Sequence, residues 1–276
     1  MQGRLSPQVS GKIQAFPAAH WRGEFPAAQK LGLHCMEWTL DHEGLKDNPL
    51  MTPAGRTEIR MLCAAHGVSI PSLTGDCFMQ APFWKVEDPA ERALLLDELD
   101  SILHACSAMQ IGIVVVPLVD NGSVATMDQE KALREHLTGR AAALRDLSVK
   151  IAFETDLPPE EVASWIAGYP EDVFGVNYDT GNSASLGFEP ETEWELYGRR
   201  ILNVHIKDRA VGGTTVPLGE GDCDFTGCFR AVKRRNYTGS MILQTARAAD
   251  GGHVEALARY RDFVETAWKS AEVENS

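Results

Sequence analysis

From end to end the chain alternates between short runs that read as strands and longer runs that read as helices, and eight such pairs follow one another. Two strands joined by a helix pair in parallel, because the chain must cross back before it starts the second strand. Eight units of this kind predict an α/β fold of one type, a single (β/α)8 TIM barrel. The strand-like runs are residues 2–5, 34–38, 68–74, 111–116, 150–154, 174–179, 201–207 and 240–244. Helical signals fill the intervals at 21–31, 53–66, 88–109, 127–147, 158–167, 190–197, 226–235 and 253–268. Pro53, Asp88-Pro89 and Pro158-Pro159 open three of them, and Gly32, Gly67 and Gly168 close three. The rival architecture, an open doubly wound sheet, announces itself by a Gly-rich turn after its first strand, and none is present. The expected organisation is one barrel over residues 1–268 and a C-terminal tail over 269–276.

Composition narrows the function. With 276 residues, 44% of them hydrophobic, the chain has ample material for a core. Its formal charge of −13 argues against a nucleic-acid surface, which needs a basic patch. The charge leaves room for anionic small molecules, which need only a few local cations. Six cysteines are scattered without a C-x-x-C pair, as expected of reduced thiols in the cytoplasm. Residues 1–7 lack the apolar core of a signal peptide, and no apolar run is long enough to span a membrane.

Barrel chemistry sits at the C-terminal ends of the strands. Side chains alternate across a strand, so an apolar set facing the helices leaves the residues between them pointing inward. In 201–207, Leu202, Val204 and Ile206 alternate with Asn203, His205 and Lys207. The same parity turns Glu154, Asp179 and Gln244 inward at the ends of three other strands. Two carboxylates, an imidazole and an amide oxygen form a donor set suited to Mn²⁺, Mg²⁺, Co²⁺ or Zn²⁺. The bland alternative is four polar strand ends satisfied by loop backbone.

Around these residues stand Phe-Glu-Thr-Asp at Glu154, Asn-Tyr-Asp-Thr-Gly-Asn at Asp179, Val-His-Ile-Lys-Asp at His205 and Leu-Gly-Glu-Gly-Asp over 218–222. In these motifs the chain resembles the xylose isomerase-like TIM-barrel superfamily, and within it the sugar phosphate isomerase/epimerase families. The resemblance implies one divalent metal held by Glu154, Asp179, His205 and Gln244. It implies an isomerase or epimerase of a sugar or sugar phosphate, acting through an enediolate, with Glu154 as base. Gln244 stands where the family carries a second glutamate. An amide donates oxygen to a metal but moves no proton near neutral pH. That substitution keeps two rival readings open, an inosose-type dehydratase on the same site and a non-catalytic sugar-binding barrel. The AP-endonuclease branch of the fold needs several metals and extra histidines, which this acidic chain lacks.

Position assigns the rest of the expected site. Lys207 points the same way as His205, to steady developing negative charge or to pair with Glu220 or Asp222. Arg209 and Arg247 are expected to grip a phosphate or carboxylate. Asn182 is placed by the resemblance in the substrate pocket. Glu37 and Asp76 are expected at the rim, either on sugar hydroxyls or as caps of the loops that follow. Trp38, Phe78 and Trp84 are either stacking surfaces or core. The other histidines have no ligand spacing. Relatives implied by the resemblance are often dimers or tetramers, but the sequence carries no interface signature and leaves a homo-oligomer open.

Overall fold

The computed structural model describes residues 1–272. Seven parallel strands form one sheet in the order of the chain. They are β1 (Cys35–Leu40), β2 (Ser69–Gly75), β3 (Ile113–Leu118), β4 (Lys150–Thr155), β5 (Phe174–Asp179), β6 (Ile201–Ile206) and β9 (Met241–Leu243). The remaining two strands, β7 (Asp208–Arg209) and β8 (Thr215–Val216), form a small antiparallel hairpin above the sheet edge. The helices are α1 (Trp21–Lys30), α2 (Pro53–His66), α3 (Asp76–Gln80), α4 (Pro89–Met109), α5 (Met127–Thr138) and α6 (Ala141–Leu147). They continue with α7 (Pro159–Ile166), α8 (Thr180–Leu186), α9 (Pro190–Tyr197), α10 (Phe225–Arg234) and α11 (His253–Ser270).

The eighth stave is the expected first strand, and it is irregular. Gln2 N–H donates to Leu243 O at 3.2 Å, and Glu37 N–H donates to Met1 O at 2.9 Å, so residues 1–2 bridge β9 and β1. Gly3, with φ of 50°, then turns the chain away before a regular strand can form. The ring is therefore a nearly closed TIM barrel of seven strands plus this bridge.

Several local expectations shift. The strand expected over 34–38 runs on to Leu40, so Glu37 lies within it rather than at its end. The helix expected over 127–147 breaks at 139–140, where α5 ends and α6 begins. Residues 180–186, which lie in none of the expected strands or helices, form α8, because Asp179 accepts the N–H groups of Gly181 and Asn182 and so caps it. The aromatic segment 77–86 packs inward, with Phe78, Phe83 and Trp84 buried and Trp84 Nε1 bonded to Gly122 O. The last helix reaches Ser270; the end of the expected tail, 273–276, lies outside the described residues.

Strand parity sorts the interior. Phe153, Phe174, Val176, Tyr178, Val204 and Ile206 face the helices, and Phe153 meets Trp165 and Tyr169 of the α7 layer at 4.9 and 5.0 Å. The residues between them turn to the barrel axis, and in its upper half they are polar and buried: Glu37, Ser72, Thr74, Glu154, Asn177, Asp179, Asn203 and His205. Buried polar groups survive only when bonded to one another, so this half of the barrel is a single hydrogen-bond network.

Candidate active site

Glu154 on β4, Asp179 on β5 and His205 on β6 come together at the C-terminal ends of three adjacent strands. One ligand atom from each lies within 4.8 Å of the others, and all three residues are buried. The Nδ1 atom of His205 is 3.6 Å from Glu154 Oε2 and 3.7 Å from Asp179 Oδ2. Its Nε2 atom is turned away and held by Glu37 Oε1 at 2.7 Å.

Glu37 is thus the floor of the cluster, one layer below the rim where a sugar hydroxyl was expected. It accepts from Gln2, Thr74 and His205 on one oxygen and from Ser72 and Asn203 on the other, at 2.6–3.0 Å. That exhausts the acceptor capacity of a carboxylate, so no lone pair is left for substrate. The physical reason is the longer β1, which buries position 37. A carboxylate behind a histidine orients the ring and raises its basicity.

Glu154 is oriented by two amides. Asn182 donates to Oε1 at 2.8 Å, and Asn177 donates to Oε2 at 3.0 Å. Asn182 thus touches the cluster through Glu154, with its own Oδ1 taken by Arg209 Nη1 at 2.9 Å. Asn177 was missed, although the parity that placed Asp179 also turns it inward. Lys207 pairs with Asp179 Oδ2 at 2.7 Å, not with the acidic loop that follows. Gly181 makes room for it, since a β-carbon there would stand 2.7 Å from Lys207 Cγ.

The charges are interdependent. Burial raises the Glu154 carboxyl, and the charge of Asp179 adds to that. Burial also works against the charge of Asp179, but Lys207 and His205 outweigh it and hold the carboxyl below its usual range. Burial opposes protonation of His205, yet Glu37, Asp179 and Glu154 raise it to about 10. In return His205, with Thr74 and Ser72, holds Glu37 down to about 2 against the effect of burial. Two cationic groups thus balance the carboxylates, one of them a proton that a divalent ion can replace.

Gln244 follows β9, one residue past the Ile206–Leu243 pair, and its N–H donates to Ile206 O at 3.0 Å. Its Nε2 donates to Gln14 Oε1 at 3.1 Å, and its Oε1 is buried without a hydrogen-bond partner. Two carboxylates and an imidazole whose Nδ1 lies 3.1 Å from Asn177 Nδ2 fit a hard or borderline divalent cation, and the buried Gln244 oxygen, unpaired among the described residues, is a donor of the same kind. Gln14 belongs to the segment between Ser6 and α1, which carried no motif. It also donates to both oxygens of Asp76, at 2.8 and 2.6 Å.

The remaining expected residues divide. Arg209 bonds Gly213 O and Asn182 and stays on the site wall. Arg247 spends Nε, Nη1 and Nη2 on the carbonyls of Ile13, Ser6 and Gly3, so it staples the N-terminal segment over the barrel rather than presenting an open fork. Trp38 packs on Phe16 and Trp21 and bonds Asn48, as core. Asp208, which sequence reasoning did not single out, accepts the N–H groups of Gly219, Gly221 and Cys223 and folds the 218–222 turn onto the site. Beside the end of β4, a cavity of about 680 Å³ opens between α5 and α7, lined by Leu118, Arg134, Asp156, Leu157 and Trp165.

Fold and cluster together define a (β/α)8 barrel whose C-terminal face carries a buried Glu–Asp–His set able to hold a metal. The profile of the family described as Xylose isomerase-like TIM barrel matches residues 25–263, and the chain belongs to that family. It is 25% identical, over 280 aligned residues, to L-ribulose-5-phosphate 3-epimerase UlaE of Escherichia coli (strain SMS-3-5 / SECEC), covering 97% of this chain and 98% of the relative. Among solved structures it is similar to D-allulose 3-epimerase from Methylomonas sp. in complex with D-allulose. The TM-score is 0.76 and the identity 15%, over 96% of this chain and 95% of that one. It is also similar to the IOLI protein with a binding zinc atom, with a TM-score of 0.73 and 17% identity over 98% of both chains.

Proposed function

We propose that the protein is a divalent-metal-dependent isomerase or epimerase of a sugar or sugar phosphate. One observation carries the reading: the buried cluster of Glu154, Asp179 and His205, with ligand atoms within 4.8 Å of one another. The relatives support it by name, since UlaE and the Methylomonas protein are both ketose 3-epimerases. They favour proton transfer over dehydration or binding without turnover. Residues 1–268 act as one barrel in this reading. The six free thiols accord with a reducing compartment.

Glu154, Asp179, His205 and Gln244 would hold one ion of Mn²⁺, Mg²⁺, Co²⁺ or Zn²⁺. When bound, that ion polarises a ketose carbonyl and makes the neighbouring C–H bond more acidic. The chain does the rest. Glu154 takes the proton from the carbon beside the carbonyl, with Asn177 and Asn182 fixing the plane of its carboxylate. Glu37 keeps Nε2 of His205 occupied, so that Nδ1 alone faces the cluster. Lys207, held on Asp179, supplies positive charge near the substrate oxygens. Arg209 and Asn182 form the wall against which the sugar lies.

Elemental analysis of wild type and His205→Ala, stripped and reloaded with Mn²⁺, tests the metal site. About one ion per chain in wild type and loss in the variant is expected, because a ligand has gone; equal contents refute the site. L-ribulose 5-phosphate and D-allulose are the first substrates to try. Glu154→Gln should keep the fold and stop exchange of solvent hydrogen into the ketose.

A further inference from the structure

Inverting a carbon beside a carbonyl needs two proton-handling groups, because the proton leaves one face and a new one arrives on the other. Glu154 is one such group. Gln244 has no proton to exchange near neutral pH. The other buried carboxyls around the cluster are occupied. Glu37 is saturated, Asp208 holds three backbone N–H groups, and Asp179 caps α8 and pairs with Lys207.

Asp76 differs. It begins α3 just past β2 and is buried, yet its carboxylate bonds none of that helix's N–H groups. Both of its oxygens face a single side-chain nitrogen, Gln14 Nε2. Gln14 Oε1 in turn accepts from Gln244 Nε2, so Asp76, Gln14 and Gln244 form one line of side chains. The ring order puts that line in place. It spans the arc from β9 through residues 1–2 and β1 to β2, and its Asp76 end stands on the mouth two strands from β4 and Glu154, with β3 between them.

We propose that Asp76 is the second acid–base residue of this enzyme, serving the face of the substrate carbon opposite Glu154, with Gln14 and Gln244 positioning it. The inference rests on the proposed function above. Burial raises the Asp76 carboxyl, Gln14 opposes that, and the charges of Asp41 and Glu154 add to it, leaving the group at about 7. Protonated and ionised forms are then both available near neutrality. In the step, the C–H bond breaks toward Glu154 and its electron pair moves into the enediolate. The O–H proton of Asp76 then forms a new C–H bond on the other face. Glu154 is left protonated and Asp76 ionised. Water takes the proton from one and returns one to the other, so no oxidant or reductant enters.

The test is turnover of D-allulose and L-ribulose 5-phosphate in D₂O by the metal-loaded enzyme. Nuclear magnetic resonance follows exchange into the unreacted ketose and appearance of the inverted product separately. Asp76→Asn should lose about 100-fold or more of the inversion while Glu154 continues to exchange the original C–H. Gln14→Ala should shift the same ratio in the same direction. Adding Gln244→Glu to Asp76→Asn should restore part of the inversion, which also shows that the variant folds. Inversion by Asp76→Asn at the wild-type rate overturns the proposal. So does a parallel loss of exchange and inversion, which marks a structural role. A wild type that exchanges neither ketose takes down the proposed function and this inference together, whereas the ratio in the variants bears on Asp76 alone.

Discussion

Replacing Glu37 by Gln changes one atom at the floor of the cluster and keeps its volume. The carboxylate accepts five hydrogen bonds, one of them from His205 at 2.7 Å. The amide keeps one acceptor oxygen and puts an NH₂ where the other was. If its oxygen stays with His205, the NH₂ faces Ser72 and Asn203. Ser72 can rotate its hydroxyl and accept, but Asn203 Nδ2 loses a partner and keeps only Asn177. One orphaned N–H costs about 1–3 kcal/mol, and a hydrogen bond to a charged group contributes about 1.5–3 kcal/mol. The sum is about 2.5–6 kcal/mol, a large part of a total stability of roughly 5–15 kcal/mol. The His205 ring also loses its orienting charge, so metal affinity should fall by about 10- to 100-fold. Urea unfolding of the stripped protein and Mn²⁺ titration by calorimetry measure the two effects independently. Stability within about 1 kcal/mol of wild type, together with unchanged affinity, would refute the assignment of Glu37 as the group that positions His205.

Two further predictions follow from the same geometry. In the stripped protein His205 is raised from 6.5 to about 10, with Glu37, Asp179 and Glu154 outweighing burial. The stability it contributes is therefore fully present below pH 6.5 and is lost as pH rises through about 10. The melting temperature of the stripped protein should fall across that window. On the proposed metal site His205 would bind the ion as neutral imidazole, so this slope should be absent from the metal-loaded protein, and identical profiles would refute the exchange of proton for metal. Gly221 abuts Asp208, and a β-carbon there would overlap Oδ1 of that carboxylate. Gly221→Ala should cost about 1–3 kcal/mol, expose the 209–223 segment to proteolysis and raise KM more than it lowers kcat; wild-type protection of that segment would count against the turn as a wall of the site.

The residues that proved legible in the chain were those governed by a local repeat. Alternation in 201–206 and 174–179 is enough to turn His205, Asn203 and Asp179 toward the barrel axis, because a strand's side chains have a period of two whatever surrounds it. The same repeat marked Glu154 and the direction of Lys207. Errors of extent mattered more than errors of type. Two more residues on β1 changed Glu37 from a rim residue to a buried partner of His205. Helix capping was also local, yet Asp179 as the cap of α8 escaped notice because the short Thr-Gly-Asn run carries no apolar periodicity.

What the sequence by itself determined is the succession of strands and helices, the closed parallel architecture and the inward parity of the cluster. Each follows from the 2.0 and 3.6 residue repeats and from turn residues acting within a few positions of themselves. Only the tertiary structure decided who partners whom. His205 and Glu37 are 168 residues apart, Gln244 and Gln14 are 230 apart, and Arg247 reaches Gly3 across 244. Those pairs exist because the ring closes between β9 and β1 through residues 1–2. A buried donor or acceptor must then find a partner among whatever groups closure brings beside it, and no local pattern encodes that choice.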